Sequence, residues 1–320
     1  MNNIYKTGYE DVQLDIVREK SKISSKEKPL TDDKRRLTFP VDKIVRDEKE
    51  DTIHIFTFYP NTFDEISNTE LHIDKVVNII DFIDKIQVYL GGMGRIESVT
   101  AESLEFLLHL SNEEISYENN KTIIPLKFSL FLERFDVQEY YDIQIRVTTK
   151  KCVDITLSMQ CEGKNSPLNV YDSLIEEKDI INKIYVQSQY TGGEPITKNN
   201  QLVTLNFNHP IFLLYICGIP TISSIKSIHL KLDDEQYFNN NDSETNELTY
   251  TPFKDGIIIL MGDKLAEDVK NNKTLNFSRI EKAKLIINST ETEEYEIRTY
   301  GFNYQIASFR GGLVWLSNCS

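Results

Sequence analysis

A chain of 320 residues, 40% apolar and 27% charged, has the make-up of a folded water-soluble protein, long enough for two ordinary domains or one large one. Thirty-six basic against 50 acidic residues give a net charge of −14, the wrong sign for a general nucleic-acid coat, because neutralising phosphates needs basic surface. No apolar run approaches the roughly 20 residues of a membrane-spanning helix, and Met1 to Glu10 lacks the basic and apolar blocks of a secretory leader, so synthesis on the cytosolic side is expected.

The first segment to stand out is residues 18–36, where Arg18, Lys20, Lys22, Lys26, Lys28, Lys34, Arg35 and Arg36 face only four acidic residues. Residues 1–38 read as a polar, partly basic arm suited to a membrane surface, a genome or an acidic neighbour. Beyond it the chain turns to β-branched and aromatic residues: 38 isoleucines, 16 phenylalanines and 16 tyrosines against four alanines, a composition suited to pleated, half-buried surfaces and poor in helix former.

Period-2 alternation predicts strands at Ile53–Phe58, Asp142–Val147, Val203–Phe207, Ile228–Leu232 and Ala283–Ile287. Gly91-Gly92-Met93-Gly94 reads as a hairpin turn, since neither a Lys-Ser/Thr nor a helix follows to cradle phosphate. Short capped helices are expected after Thr100, Ser173 and Asp263. A break across residues 162–182 divides the ordered body into halves of sandwich size, 39–172 and 173–320, with no close internal sequence repeat.

Catalytic chemistry finds little to work with. The four cysteines and five histidines are scattered without metal-ligand spacing, no nucleophile elbow is present, and Glu133 with Asp136, or Glu291 with Glu293 and Glu294, reads as solvated surface among 50 acidic residues. Asn208-His209-Pro210 at a strand end reads as a turn with a hydrogen-bonded side chain rather than a ligand site. No cofactor and no metal are expected.

Three blocks are more specific. The first runs from Ile184 through Gln189-Tyr190-Thr191-Gly192 to Leu205-Asn206-Phe207-Asn208-His209-Pro210-Ile211. The second is Asn276-Phe277-Ser278-Arg279-Ile280-Glu281, followed by Ala283 and Leu285; the third is Tyr300-Gly301-Phe302-Asn303-Tyr304 through Gly311-Gly312-Leu313 to Asn318. They resemble blocks of the second jelly roll in the major capsid proteins of nucleocytoplasmic large DNA viruses. Lys85 to Gly92 and Ile124-Pro125-Leu126 with Tyr141 to Ile145 resemble the first jelly roll of the same family more loosely.

The resemblance implies an all-β double jelly roll of two consecutive eight-stranded antiparallel sandwiches, without enzymatic activity. It implies a homotrimer forming a pseudo-hexameric capsomer of an icosahedral-type shell in the virion, made in host cytoplasm. The implied partners are neighbouring capsomers, minor capsid proteins and an inner membrane touched by the arm, with no sequence-specific nucleic acid. Seventeen residues of the three blocks, Gln189 to Gly192, Asn206 to Pro210, Asn276 to Arg279, Asn303, Tyr304, Gly311 and Gly312, are expected to be structural, with Asn276 and Ser278 tying backbone groups and Arg279 bridging to a carboxylate or to carbonyls. Residues 127–139 depart from the family's proline-rich connection and the chain is short for the family, so a minor capsid or scaffold paralogue is the alternative within that fold. From other classes, a carbohydrate-binding or glycan-amidase-like jelly roll is the alternative.

Overall fold

The computed structural model describes residues 34–46, 51–58, 65–90, 94–126, 135–136, 142–162, 181–197, 201–233, 236–238, 240, 246–261, 274–310 and 313–318. The chain divides into two compact units, Met1–Lys183 with Ala307–Leu316, and Ile184–Ile306 with Ser317–Ser320.

The first sandwich is built from β1 (Lys34–Pro40), β2 (Lys43–Arg46), β3 (Thr52–Phe58), β4 (Glu65–Ile73), β5 (Ile83–Leu90), β6 (Gly94–Thr100), β7 (Ser116–Glu118), β8 (Lys121–Pro125), β9 (Phe135–Asp136), β10 (Ile143–Thr149) and β11 (Ile155–Glu162). One sheet runs β1-β11-β4-β8-β7, with β9 on β4, and the other β2-β3-β10-β5-β6. Every pair with a register is antiparallel, as between β3 and β10, where Phe56 lies opposite Ile145 and His54 opposite Val147.

The second sandwich contains β12 (Ile181–Ile196), β13 (Leu202–Thr204), β14 (Pro210–Cys217), β15 (Ile225–Leu232), β16 (Gln236–Phe238), β17 (Thr251–Phe253), β18 (Gly256–Leu260), β19 (Leu275–Asn276), β20 (Ala283–Ser289), β21 (Tyr295–Arg310) and β22 (Leu313–Asn318). Its sheets run β12-β21-β14-β18-β17, with β19 on β14 and β22 on β21, and β13-β20-β15-β16.

Leaving aside the short accessory strands and numbering the eight principal strands of each sandwich along the chain, both sandwiches have the orders 1-8-3-6 and 2-7-4-5. A hairpin folded back over itself produces this winding, in which chain neighbours other than 4 and 5 lie in opposite sheets; it is the jelly roll. The duplication is thus complete at the level of topology even though the sequence shows no close repeat.

Alternation explains the cores. In β10 the side chains of Ile143, Ile145 and Val147 are fully buried and face Phe56, Phe58 and Val88 of the neighbouring strands or sheet interior. In the second sandwich Leu214, Ile216, Ile228, Leu230, Leu285 and Ile287 are all fully buried in one cluster. Each such side chain contributes about 1.5–3 kcal/mol of burial. The run Val203–Phe207 is only partly a strand: pairing stops at Thr204, yet Leu205 and Phe207 stay buried, and the Leu205 amide donates to the Ala283 carbonyl at 2.9 Å.

The helix after Thr100 spans Ala101–Leu110, with the Thr100 hydroxyl accepting from the Ser103 amide and the Ser103 hydroxyl accepting from the Thr100 amide, a reciprocal cap. The expected helices after Ser173 and Asp263 lie outside the described residues. β5 and β6 pair as a hairpin with Leu90 opposite Gly94, and Gly94 takes φ +82°, a left-handed conformation cheap only for glycine; Gly91, Gly92 and Met93 of the expected turn lie outside the described residues.

The segment read as an arm extends too far. Residues 34–38 are the start of β1, paired with β11 from Lys34 opposite Glu162 onward, so three of the eight basic residues belong to a sheet edge. Arg36 is committed there: its Nε donates to the Ser158 hydroxyl at 2.9 Å and its guanidinium pairs with Glu70. Residues 1–33 then hold six basic and seven acidic residues and no net positive charge.

One buried polar group gives the first sandwich a pH dependence. His54 is 0% exposed; its Nε2 meets the Thr149 hydroxyl at 3.1 Å, and that hydroxyl donates to the Thr52 carbonyl, so Nε2 carries the proton and Nδ1 is left without a hydrogen-bond partner. Burial pushes the imidazole below its ordinary pKa and outweighs the opposing attraction of Asp154. The unfolded chain therefore takes up a proton near pH 6.5 while the folded one does not, and stability falls as pH drops below that value. Thermal unfolding of His54→Leu measured from pH 7.5 to 5.0 should show a shallower acid decline than the unmodified protein; superimposable declines would remove His54 from the account.

Candidate functional site

The three motif blocks converge on one end of β14 in the second unit. His209 adopts φ +70°, which swings the chain into β14, and Pro210, lacking an amide hydrogen, occupies the first strand position, where none is needed. The turn is fastened through backbone atoms: the His209 amide donates to the Ser278 hydroxyl (2.8 Å) and the His209 carbonyl accepts from the Phe277 amide (3.3 Å). The Asn276 side chain in turn accepts from the Ser278 amide (3.1 Å), capping the short 3-10 turn Phe277–Arg279, while Pro210 pairs with Asn276 and Ile211 with Leu275.

A second set of bonds ties in the other two blocks. The Gln189 side chain accepts from the Asn208 amide (2.8 Å) and donates both to the Asn208 carbonyl and to Oδ1 of Asn303 (2.9 Å). Asn303, 0% exposed, donates to the Gln187 side chain (3.3 Å) and to the Tyr304 carbonyl (3.2 Å). Thus β12, the connection before β14, and β21 are locked together by three carboxamides, Gln187, Gln189 and Asn303, bonded to one another and to the Asn208 and Tyr304 backbone.

Aromatic packing surrounds this polar node. Phe207 meets Phe277 edge to face at 5.4 Å, and a Cβ on Gly301 would come within 3.0 Å of the Phe207 ring, so any side chain there would force the ring to shift by a few tenths of an ångström. Tyr304 stacks on Phe212 (4.4 Å) and burial pushes its phenol pKa up. Tyr190 stacks on Tyr300 (4.9 Å), which continues to Tyr215 and Phe253. The Thr191 hydroxyl reaches the Thr299 carbonyl at 3.4 Å, and Gly192 takes φ +99°.

Other motif residues stand apart. Asn206 is exposed between two buried neighbours, and Gly311 and Gly312 lie outside the described residues. Arg279 is exposed, and among the described residues its guanidinium has neither the ion pair nor the carbonyl bridge expected of it. His209 contributes its backbone to the network, where a side-chain bond was expected.

The seventeen residues expected to be structural leave out Gln187, although it lies within the first block, and Tyr215. Gln187 and Gln189 alternate on one strand and so share a face, a signal that was available; Tyr215 carries none apart from its place in an apolar run.

Chemically the node fastens strands. Its polar atoms accept and donate to one another, and Phe207, Phe277 and Tyr304 fill the space around them. Among the described residues no three His, Cys, Asp or Glu side chains come together, and Cys161 has its thiol pushed up to about 12 by burial, far from a reactive thiolate.

No protein-family model matches the sequence, and no curated protein matches it. Solved structures do. PBCV-1 VP54 is similar with a TM-score of 0.58 at 12% identity, over 92% of this chain and 98% of that one. A chain of the PBCV-1 virus capsid gives 0.57 at 12% identity over the same shares, and the Faustovirus major capsid protein gives 0.53 at 6%, again over 92% and 98%. At such identities the likeness is one of fold, and it spans nearly the whole of each chain. With the jelly-roll winding present twice, the chain has the double jelly-roll fold of the major capsid proteins of large DNA viruses.

Proposed function

We propose that this protein is a structural subunit of an icosahedral-type viral shell, located in the virion after synthesis in host cytoplasm, and that it carries out no catalysis. The observation that carries the reading is the identical 1-8-3-6 and 2-7-4-5 winding in both halves of a chain that is similar in fold to capsid proteins over 98% of their chains. Three chains of two sandwiches place six similar bodies around a threefold axis, a pseudo-hexagonal block that tiles a closed shell with few chain types. The partners on this reading are two further copies, then neighbouring capsomers and minor capsid proteins. The first jelly roll extends from residue 34 to about 172 and the second from 173 to 320. The motif residues serve as internal fastenings of the second, supported by the bonds joining Gln189, Asn208, Ser278 and Asn303.

Membrane contact through the N-terminal segment loses its electrostatic basis once Lys34, Arg35 and Arg36 are counted with β1, so vesicle binding through residues 1–33 is not part of the proposal. Light scattering of the purified chain at micromolar concentration, neutral pH and physiological salt should give about three times the 37.2 kDa monomer mass. A monomer under those conditions would overturn the reading.

A further inference from the structure

The outer face of the second unit's four-stranded sheet carries charge opposite to that of the chain as a whole. At one register Thr204 lies opposite Lys284, Lys284 opposite Lys231, and Lys231 opposite Tyr237, so four side chains stand abreast on one face. The next row on that face is Leu202, Ile286 and His229. These rows point outward, because the intervening Val203, Leu285 and Leu230 are buried in the core, whereas Leu202 and Tyr237 are 43% and 42% exposed.

Two lysines in register on adjacent strands repel each other, an arrangement that costs stability unless an anion lies between them. None of the outward positions in either row is acidic, and among the described residues neither lysine has an ion pair. The carboxylate of Glu194, which touches this sheet, is held on the Thr204 amide (3.1 Å), and the His229 ring is held by the Asn246 carbonyl (2.9 Å) and the Ser227 hydroxyl (3.1 Å). Among the described residues the lysine pair is therefore a charged feature of these two rows without an internal counterpart.

The complementary charge sits at the other end of the same strand. β20 leads from Lys284 to Ser289, about 17 Å at strand rise, and then into the turn bearing Glu291, Glu293 and Glu294. That turn is fixed by the Thr290 amide on the Ser224 carbonyl (2.9 Å) and the Glu291 amide on the Ser289 hydroxyl (3.1 Å). Glu293 and Glu294 are exposed, and among the described residues none of the three glutamates has an ion pair.

We infer that the Lys231–Lys284 pair docks on the acidic 291–294 turn of a second copy of this chain, and that this contact helps close the homotrimer. The inference rests on the trimer reading of the proposed function. A head-to-tail contact sets the basic pair of one copy on the acidic turn of the next, and three such contacts close the ring of the trimer reading with no charged end left over. Tyr237 and Leu202 supply apolar contact beside the charges, which set the register.

The test is a charge swap in the full chain, read by light scattering, with thermal unfolding as the folding control. Lys231→Glu with Lys284→Glu should weaken trimerisation by roughly a hundredfold or more, as should Glu291→Lys with Glu293→Lys and Glu294→Lys. All five substitutions together should restore the trimer, and raised salt should weaken the unmodified one. If the unmodified chain trimerises and the lysine variant does so equally well, the docking is wrong and the trimer reading stands. If the variant keeps the trimer but loses retention on a single-stranded oligonucleotide, the pair is a polyanion site and the inference is likewise overturned. If the unmodified chain is a monomer, both fall.

Discussion

A chain starting at Lys34 should fold and trimerise like the full one, whereas a chain starting at Phe39 should lose the first sandwich. The five residues separating these two variants, 34–38, form most of β1, which pairs with β11 along its whole length from Lys34 opposite Glu162 to Pro40 opposite Thr156. Removing them strips β11 of five of its seven pairings with β1 and discards the Arg36 bonds to Ser158 and Glu70. It also loosens the anchor of Phe39, whose ring meets Phe58 edge on at 5.2 Å.

At about 0.5–1.5 kcal/mol for each lost hydrogen bond, with the burial of Leu37 added, the loss is about 3–6 kcal/mol. That is a large share of the 5–15 kcal/mol by which a typical domain is stable. The uncovered β11 also becomes an open edge that recruits other chains. Circular dichroism and light scattering should therefore show the shorter variant partly unfolded or aggregated at 37 °C, and equal melting of the two variants would mean that β1 contributes nothing.

That strand also shows where sequence reading runs out. Lys34-Arg35-Arg36 looks like a solvated tail because an edge strand with one wet face tolerates charge, and its pairing partner lies more than a hundred residues away in β11. Interior strands were legible because both constraints act locally: Ile143–Val147 of β10, Ile228–Leu232 of β15 and Ala283–Ile287 of β20 alternate, and the structure places each as expected. Alternation did not say which face is wet. In β3 the residues 54, 56 and 58 turn inward, which buries a histidine and leaves Ile53 and Ile55 half-exposed, because Phe56 and Phe58 fill the core better than two isoleucines. The winding order leaves no local trace at all, since 1-8-3-6 is decided by which distant strands meet.

The motif residues were legible as blocks but not as a mechanism. Gln189 and Asn303 are 114 positions apart, and only the fold brings their side chains within 2.9 Å. Arg279, the most chemically suggestive residue of the second block, is exposed, while Ser278 beside it makes the bond that matters to the turn.

The node formed by those blocks carries the other large expected effect. Replacing Asn303 with leucine, close in size, should lower stability by about 2–4 kcal/mol, because it leaves the Gln189 and Gln187 side chains and the Tyr304 carbonyl short of a partner inside a closed environment. For a domain of this size that corresponds to roughly 5–15 °C in melting temperature. Gln189→Leu should cost less, since Gln189 is only half-buried and water can reach the Asn208 backbone it serves. The two changes should not add: once Asn303 is gone, the Gln189 amide has already lost one acceptor, and the double variant should be more stable than the sum of the singles by about 0.5–3 kcal/mol. A thermal double-mutant cycle reads this coupling directly. Strict additivity would mean that the two carboxamides act separately, and that the strands around β14 are held by the aromatic contacts of Phe207, Phe277 and Tyr304 alone.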